Sequence, residues 1–359
     1  MKSWSRMIVA AIVATLIVGL VPAALAQDVI ESVCLVTDIG NVDDGTFNQF
    51  AFEGMEQAAD EFDLATEVIE TSSETEYTDN INTCIEEGFD TVVTVGFLIT
   101  DATLEAAREN SDVWFIGVDQ DVEGVDDAPE NYVGIQYRED QAGFLVGALA
   151  AMWANELGED TIAGVYGIDV PAVVRFRSGY EQGAKFINPE WEVGENILGT
   201  FADSFNDEAQ GISIANQFIG EGAAVIFGAG GKLGSAAIKE AASQEVYVVG
   251  VDQDEYFTTF GEGQTEGAEF LMSSAMKRVD RGVFEMLEIL AEGNFDDFPG
   301  GENFILNVNN EGVGFAPKHE ADVPDEFYDR VAEIEEMLAE GELETGVDPV
   351  SGELLEDVE

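Results

Sequence analysis

The chain has 359 residues, 46% of them hydrophobic, and a formal charge of −60. That is enough apolar material for two domains with a large core, which excludes a disordered protein despite the charge. So acidic a surface repels phosphate backbones and anionic lipid headgroups, which argues against nucleic acid as a partner.

In chain order, Lys2 and Arg6 precede an apolar run from Met7 to Val21, then Pro22 and the small-residue ending AALA. This is the layout of a secretory signal peptide, residues 1–26, cleaved after Ala26. A membrane anchor is the alternative for an apolar stretch of this length, but the Ala-x-Ala ending and the lack of a basic stop-transfer segment favour cleavage. Cleavage removes two cations and no acid, so the charge goes from −60 to −62. No cysteine follows the apolar run closely enough to accept a lipid, so a free periplasmic or extracellular protein is expected. The two cysteines, Cys34 and Cys84, are either a disulfide, which export permits, or two buried thiols.

Beyond the leader, strand and helix signals alternate. Strands are predicted at Val33–Thr37, Ala65–Ile69, Thr91–Val95, Val113–Val118 and Tyr132–Ile135. Helices between them are predicted at Phe47–Phe62, Glu76–Glu87 and Asp101–Glu109. A long helix at Asp140–Leu157 restarts the scheme. Strands follow near Thr161–Tyr166, Glu192–Leu198, Ala223–Phe227 and Glu245–Val251, separated by helices near Val173–Phe186, Asp207–Ile219 and Gly234–Ala242. Such alternation implies parallel sheets covered on both faces, here two α/β units in series. A short strand and a long helix are expected within residues 267–293, a strand pair with an Asn-rich turn within 303–317, and a helix at Glu326–Ala339. From about Thr345 the chain reads as a disordered polar tail.

Each unit contains the pentapeptide GVDQD after an apolar strand, at Gly117–Asp121 and Gly250–Asp254. Ligands of open parallel sheets sit beyond the carboxyl ends of the strands. Asp119, Asp252 and Asp38 all follow strands, and two lobes facing each other aim all three carboxylates into one cleft. Phe47 and Phe205 begin helices after strands of different units, where they either sandwich a flat ring or a sugar face, or staple their own helices. Lys277 stands at a strand-to-helix junction, suited to share ligand hydroxyls with Asp252 or else to sit on the surface beside Arg278 and Arg281.

Catalytic chemistry finds little support. The single histidine, His319, stands against a His-based triad or a His-rich metal site and is expected on an exposed loop. The glycines of IFGAGGKLG are spaced GxGxxxG, neither a dinucleotide fingerprint nor a phosphate loop. The acids of DIGNVDDG lack the spacing of a twelve-residue calcium loop. No metal, cofactor or catalytic residue is expected.

The segments VTDIGNVDDGTFNQFAFEG, YREDQAGFLVGALAA, VPAVVRFRSGYEQGAKF, SFNDEAQG, FGAGG and SSAMKRVDRGV, with both copies of VGVDQD or IGVDQD, run in one order that closely resembles the basic membrane protein family. These are substrate-binding components of ABC importers, related to a purine nucleoside receptor. The resemblance implies a type I periplasmic binding protein fold, with two Rossmann-like lobes and a three-stranded hinge. It also implies a nucleoside ligand, a permease and an ATPase as partners, and no enzymatic activity. Position by position, Phe47 and Phe205 resemble the stacking rings, and Asp38, Asn48 and Asp119 the polar groups around the base. Asp252 resembles the ribose-binding carboxylate and Lys277 its cationic neighbour. Gly230 would admit the sugar to the backbone, and Phe176 would close the cleft. Gly45 departs from the family's common Lys. The implied division is 30–135 plus 257–293 for the N-terminal lobe and 136–256 plus 294–345 for the C-terminal lobe, with an acidic tail at 346–359. A pentose or another small polar metabolite as ligand, or an exported sensing module for a membrane receptor, remain the alternatives.

Overall fold

The computed structural model describes residues 29–355. The signal peptide at 1–26 and the last four residues of the tail lie outside the described residues. The first lobe is built by β1 (Ser32–Thr37), α1 (Phe47–Phe62), β2 (Ala65–Ile69), α2 (Tyr77–Glu87), β3 (Thr91–Val95), α3 (Thr100–Glu109), β4 (Trp114–Val118) and β5 (Tyr132–Tyr137). The chain then crosses into the second lobe. There it forms α4 (Glu139–Leu157), β6 (Ile162–Tyr166), α5 (Pro171–Ile187), β7 (Ile197–Phe201), α6 (Glu208–Gly220), β8 (Val225–Ala229), α7 (Gly231–Ser243) and β9 (Tyr247–Asp252). Five elements follow: β10 (Leu271–Lys277), α8 (Val279–Ala291), β11 (Asn303–Leu306), β12 (Val313–Phe315) and α9 (Asp325–Ala339).

The strands make two six-stranded sheets, ordered β11-β5-β4-β3-β1-β2 and β12-β10-β9-β8-β6-β7. All pairs are parallel except β10 with β12. Runs such as TVVTV in β3 and VIFGA in β8 are buried along their whole length, as a sheet covered on both faces requires. The strand order reverses beside β1 in one sheet and beside β6 in the other, which opens a crevice at their carboxyl edges. The two sheets correspond strand for strand, so β4 and β9, which end in the repeated pentapeptide, hold the same place in each lobe.

Three expectations are corrected by the topology. Strand β10 belongs to the second sheet, paired with β9, although 257–293 was assigned whole to the first lobe. Strand β11 pairs with β5 in the first sheet, although 294–345 was assigned to the second. The segments at 303–317 are therefore not a strand pair. Asn307 and Asn310 form a reciprocal capping box that turns the chain from one sheet to the other between β11 and β12. The crossings are thus at Arg138, at Arg278 and through 307–312, a swap that sequence periodicity cannot register. Strand β7 also begins later than expected, because 192–196 is occupied by a turn closed onto the Glu192 carbonyl.

The helices flanking the crossings pack at unusually close range. A Cβ on Gly54 of α1 would lie 2.2 Å from the Asp280 carbonyl oxygen of α8, and one on Gly179 of α5 would lie 2.1 Å from that of Asp140 in α4. Glycine is required at both places. The crossings at 138 and 278 each carry an Arg paired two-pronged with the Asp two residues on, Arg138 with Asp140 and Arg278 with Asp280.

The tail is a further correction. Thr345 is buried and its hydroxyl donates to Asp140, Val347 is buried, and Val347 bridges Leu354 in a closed loop. Within 346–355, Asp348 accepts from the amides of Val350 and Ser351 and from the Ser351 hydroxyl, which gives the segment a fixed turn.

Cys34 of β1 and Cys84 of α2 form a disulfide with Cα atoms 5.9 Å apart, both fully buried. It closes a loop of 50 residues, for which the chain-entropy relation gives about 4 kcal/mol of stabilisation. Replacing both cysteines with alanine is expected to lower the unfolding free energy by about that amount, as read from urea titration. Adding reductant to the unaltered protein should reproduce most of the loss.

Candidate functional site

One cavity lies between the carboxyl edges of the two sheets and encloses about 690 Å³ of space between protein atoms, counting the part that opens to solvent. All nine residues singled out from the sequence line it: Asp38, Phe47, Asn48 and Asp119 from the first lobe, Phe176, Phe205, Gly230, Asp252 and Lys277 from the second.

Local backbone explains how each carboxylate gets there. Asp38 leaves β1 with its amide bonded to the Val95 carbonyl, and its side chain occupies space that a Cβ on Gly96 would fill at 2.0 Å. Asp119 and Asp252 sit in the left-handed region, φ 60° and 63°, at the ends of equivalent strands. Asp tolerates that conformation better than most residues, and it turns the chain sharply so that the side chain stays at the sheet edge. The glutamines that follow diverge. Gln120 braces its own lobe, donating to Thr94 Oγ1 and the Gly96 carbonyl at 3.0 Å each and accepting from the Tyr132 hydroxyl at 2.5 Å. Gln253 donates across the cleft to the Thr46 carbonyl at 3.3 Å. A second bond between lobes joins Lys232 Nζ to Asp43 at 2.9 Å. The lobes are therefore closed.

Phe47 opens α1, whose first turn is capped by Asp44 accepting from the amides of Thr46, Asn48 and Gln49. Phe205 rests on backbone: a Cβ on Gly167 would strike its ring at 2.3 Å, and its carbonyl accepts from the Leu233 amide. A Cβ on Gly230 would come within 2.6 Å of the Gly167 amide nitrogen, so β6 and β8 end in bare backbone beside the cavity.

Electrostatically the cavity is a set of acceptors around one amine. Lys277 Nζ donates to Asp119 Oδ2 at 2.6 Å and lies 2.9 Å from Glu139 Oε1, with 4.8 Å to the centroids of both the Phe47 and Tyr137 rings. Burial by itself would push this amine down; the carboxylates of Asp119, Glu139 and Asp252 outweigh it and hold it above its ordinary value. Arg175 donates to Glu139 Oε2 at 2.5 Å. Burial opposes the Glu139 carboxylate, but Arg175 and Lys277 together keep it below the usual range.

The other acids go the opposite way. Burial pushes Asp38 up to about 7 against amide bonds from Ile39 and Leu98, and pushes Asp252 up to about 8 against the pull of Lys277. Asp119 is also raised by burial, with Lys277 drawing it back. Asp119 Oδ1 and Asn48 Oδ1 are buried and meet no hydrogen-bond partner among the described residues. Such atoms are costly unless a guest supplies donors.

Sequence reasoning missed Asp44, Phe97 and Asn206 on the cavity wall and the buried Glu139–Arg175 pair behind Lys277. Glu139 and Arg175 lay inside quoted segments, but an acid in a helix's first turn is ordinarily solvated and nothing local marks it as buried. His319, expected on an exposed loop, is mostly covered instead. Its ring stacks on Tyr256 at 3.9 Å and pairs with Asp254 at 2.7 Å.

The model of the family described as ABC transporter substrate-binding protein, PnrA-like, matches residues 31–343. The ABC transporter nucleoside-binding protein BmpA of Lactococcus lactis is 27% identical over 322 residues, covering 86% of this chain and 87% of that protein. Basic membrane protein A of Borreliella burgdorferi is 32% identical over 291 residues, covering 80% and 79%. Among solved structures, an ABC transporter solute-binding protein from Aeropyrum pernix superposes with TM-score 0.75 at 23% identity, covering 87% of this chain and 92% of that one. That likeness carries the fold alone, which is the type I periplasmic binding protein architecture.

The raised acids set a pH dependence. A carboxyl whose folded value lies above its unfolded one favours the folded state when protonated. Its contribution is complete below about pH 4 and is lost as the pH climbs through 7 to 8. Asp252→Asn, which cannot ionise, is therefore expected to gain stability relative to the parent between pH 5 and pH 9 without ligand. Urea titrations at each pH read this, and parallel curves would show that Asp252 ionises freely.

Proposed function

This chain belongs to the PnrA-like family of ABC transporter substrate-binding proteins, and from that premise we propose that its cleft captures a nucleoside, with a purine base, for import. It is a substrate-binding protein and not an enzyme, and it works outside the cytoplasmic membrane, in the periplasm or beyond. The cleavable leader, the permease and the ATPase belong to the proposal.

The observation that carries the reading is the pairing of acceptor atoms without donors and aromatic rings around one cavity. Asp38, Asn48 and Asp119 reach in from the first lobe and Asp252 from the second. The cavity's one amine is already shared between two carboxylates. A guest for such a site brings several N–H or O–H donors and no negative charge. A purine nucleoside does so: its base edge donates to Asp38, Asn48 and Asp119, and two vicinal ribose hydroxyls donate to Asp252. Phe47 and Phe205, from opposite lobes, supply apolar faces for the base, Phe176 closes the space behind them, and Gly230 leaves room for the sugar. Contacts made to both lobes at once favour the closed form, which is what a permease would recognise.

A thermal-shift series separates the possible guests, because a ligand that binds only the folded form raises its melting temperature. Inosine and guanosine are expected to raise it, whereas ribose, free guanine and guanosine monophosphate are expected to have little effect. A shift with ribose equal to that with inosine would sink the nucleoside reading in favour of a pentose. By calorimetry, Phe47→Ala should weaken inosine binding by about 1–3 kcal/mol if the ring stacks on the base. Asp252→Ala should weaken inosine far more than hypoxanthine.

A further inference from the structure

The amine in the cleft is the inner end of a chain of buried contacts that runs to the C-terminal loop. Asp119 Oδ2 binds Lys277 Nζ at 2.6 Å, Lys277 Nζ approaches Glu139 Oε1 at 2.9 Å, and Glu139 Oε2 accepts from Arg175 Nε at 2.5 Å. Arg175 Nη1 then donates to the carbonyl of Val350 at 2.8 Å. Glu139 is 0% exposed and Arg175 and Lys277 1% each, so all three are shut off from bulk solvent.

The outer end is a built structure. Asp348 Oδ1 accepts from the amides of Val350 and Ser351, the Gly352 amide bonds to the Asp348 carbonyl, and the Leu355 amide bonds to that of Gly346. A Cβ on Gly352 would lie 2.7 Å from the Arg175 amide nitrogen, so the loop lies directly on α5. Thr345 reaches the Asp140 carboxylate, the same group that holds Arg138 at the first lobe crossing.

We propose that Arg175 and the loop 346–355 are positioning elements of the ligand site, holding Glu139 so that Lys277 stays free to bind Asp119. The physical basis is competition for one ammonium. Lys277 is shared between two carboxylates, and Arg175 satisfies half of Glu139. Without Arg175 in place, Glu139 carries an uncompensated buried charge and draws Lys277 toward itself, away from the acid that faces the cavity. The Val350 carbonyl and the loop's cover keep the guanidinium from turning out to water. The corresponding crossing of the other lobe has Val279 where this one has Glu139, so the device exists on one side only.

The affinity readout rests on the nucleoside reading; the titration readout does not, and it separates the two. The intact chain is compared with a chain ending at Thr345, with Arg175→Lys, and with Val331→Ala, which thins the core under α9 and touches none of these groups. In the ligand-free protein, the carbon-13 signal of the Asp119 carboxyl is expected to titrate at higher pH in the truncated chain and in Arg175→Lys. It should be unchanged in Val331→Ala, which only melts earlier. Inosine affinity should fall about tenfold in the same two variants, a coupling of ordinary size for linked sites. If the truncated chain does not fold, Arg175→Lys decides, since it keeps the charge but cannot span both Glu139 and Val350. An unmoved Asp119 titration in the folded variants overturns the proposal even if their stability falls. A moved titration with no inosine binding by any chain, the parent included, upholds the link and rejects the nucleoside.

Discussion

Lys277 puts one ammonium, sealed from water, within 2.6 Å of Asp119 in the first lobe and 2.9 Å of Glu139 at the start of α4. A lone buried cation would cost more than any neighbouring contact returns, so its partners must be held in place by the fold. They come from the end of β4, from a lobe crossing and, through Arg175, from α5. The cavity's acceptors, its closed state and its hinge therefore share one group of charges. Few cations exist in this chain, and placing one at the junction of both sheets gives it consequences that a surface lysine lacks.

Two equivalent lobes explain the repeated pentapeptide. Each copy ends the same strand of its own sheet, and in each the first Asp adopts a left-handed backbone at the cavity edge. The lobes have diverged around that shared turn. The first copy uses Gln120 to brace its own sheet, while the second sends Gln253 to the opposite lobe. The last Asp of each copy ties down a late segment of the chain, Asp121 to Asn303 and Asp254 to His319. One local solution thus serves the lobe, the closure and the chain's return.

Acidity is handled differently inside and outside. Outside, carboxylates are solvated or meet an Arg within a few residues, as with Arg281 and Glu285. Inside, burial pushes Asp38 and Glu255 up to about 7 and Asp252 up to about 8. On the proposed function, a neutral guest rich in N–H and O–H donors suits this set of acceptors better than an anion would.

Much of this was readable from the chain alone, because it depends on local patterns. Alternating apolar runs and amphipathic helices specify two parallel α/β units, and acids or rings just after strands mark the edge where such sheets bind ligands. Asp38, Phe47, Asp119, Phe205, Asp252 and Lys277, chosen by position in the chain, meet in one cavity, together with Asn48, Phe176 and Gly230, to which only the family resemblance pointed. What the chain could not specify is pairing over distance. Strand β10 stays with β9, the strand just before it, while β11 returns to β5 far back in the chain, and hydrophobic period says nothing about which sheet a strand will join. The disulfide was undecided for the same reason. Burial of charge is also a property of the whole fold: Glu139 and Arg175 look like ordinary helical residues until α4, α5 and the C-terminal loop close over them. Local sequence determined the elements and the edge of the site, and only tertiary packing decided which distant charges share one dry space.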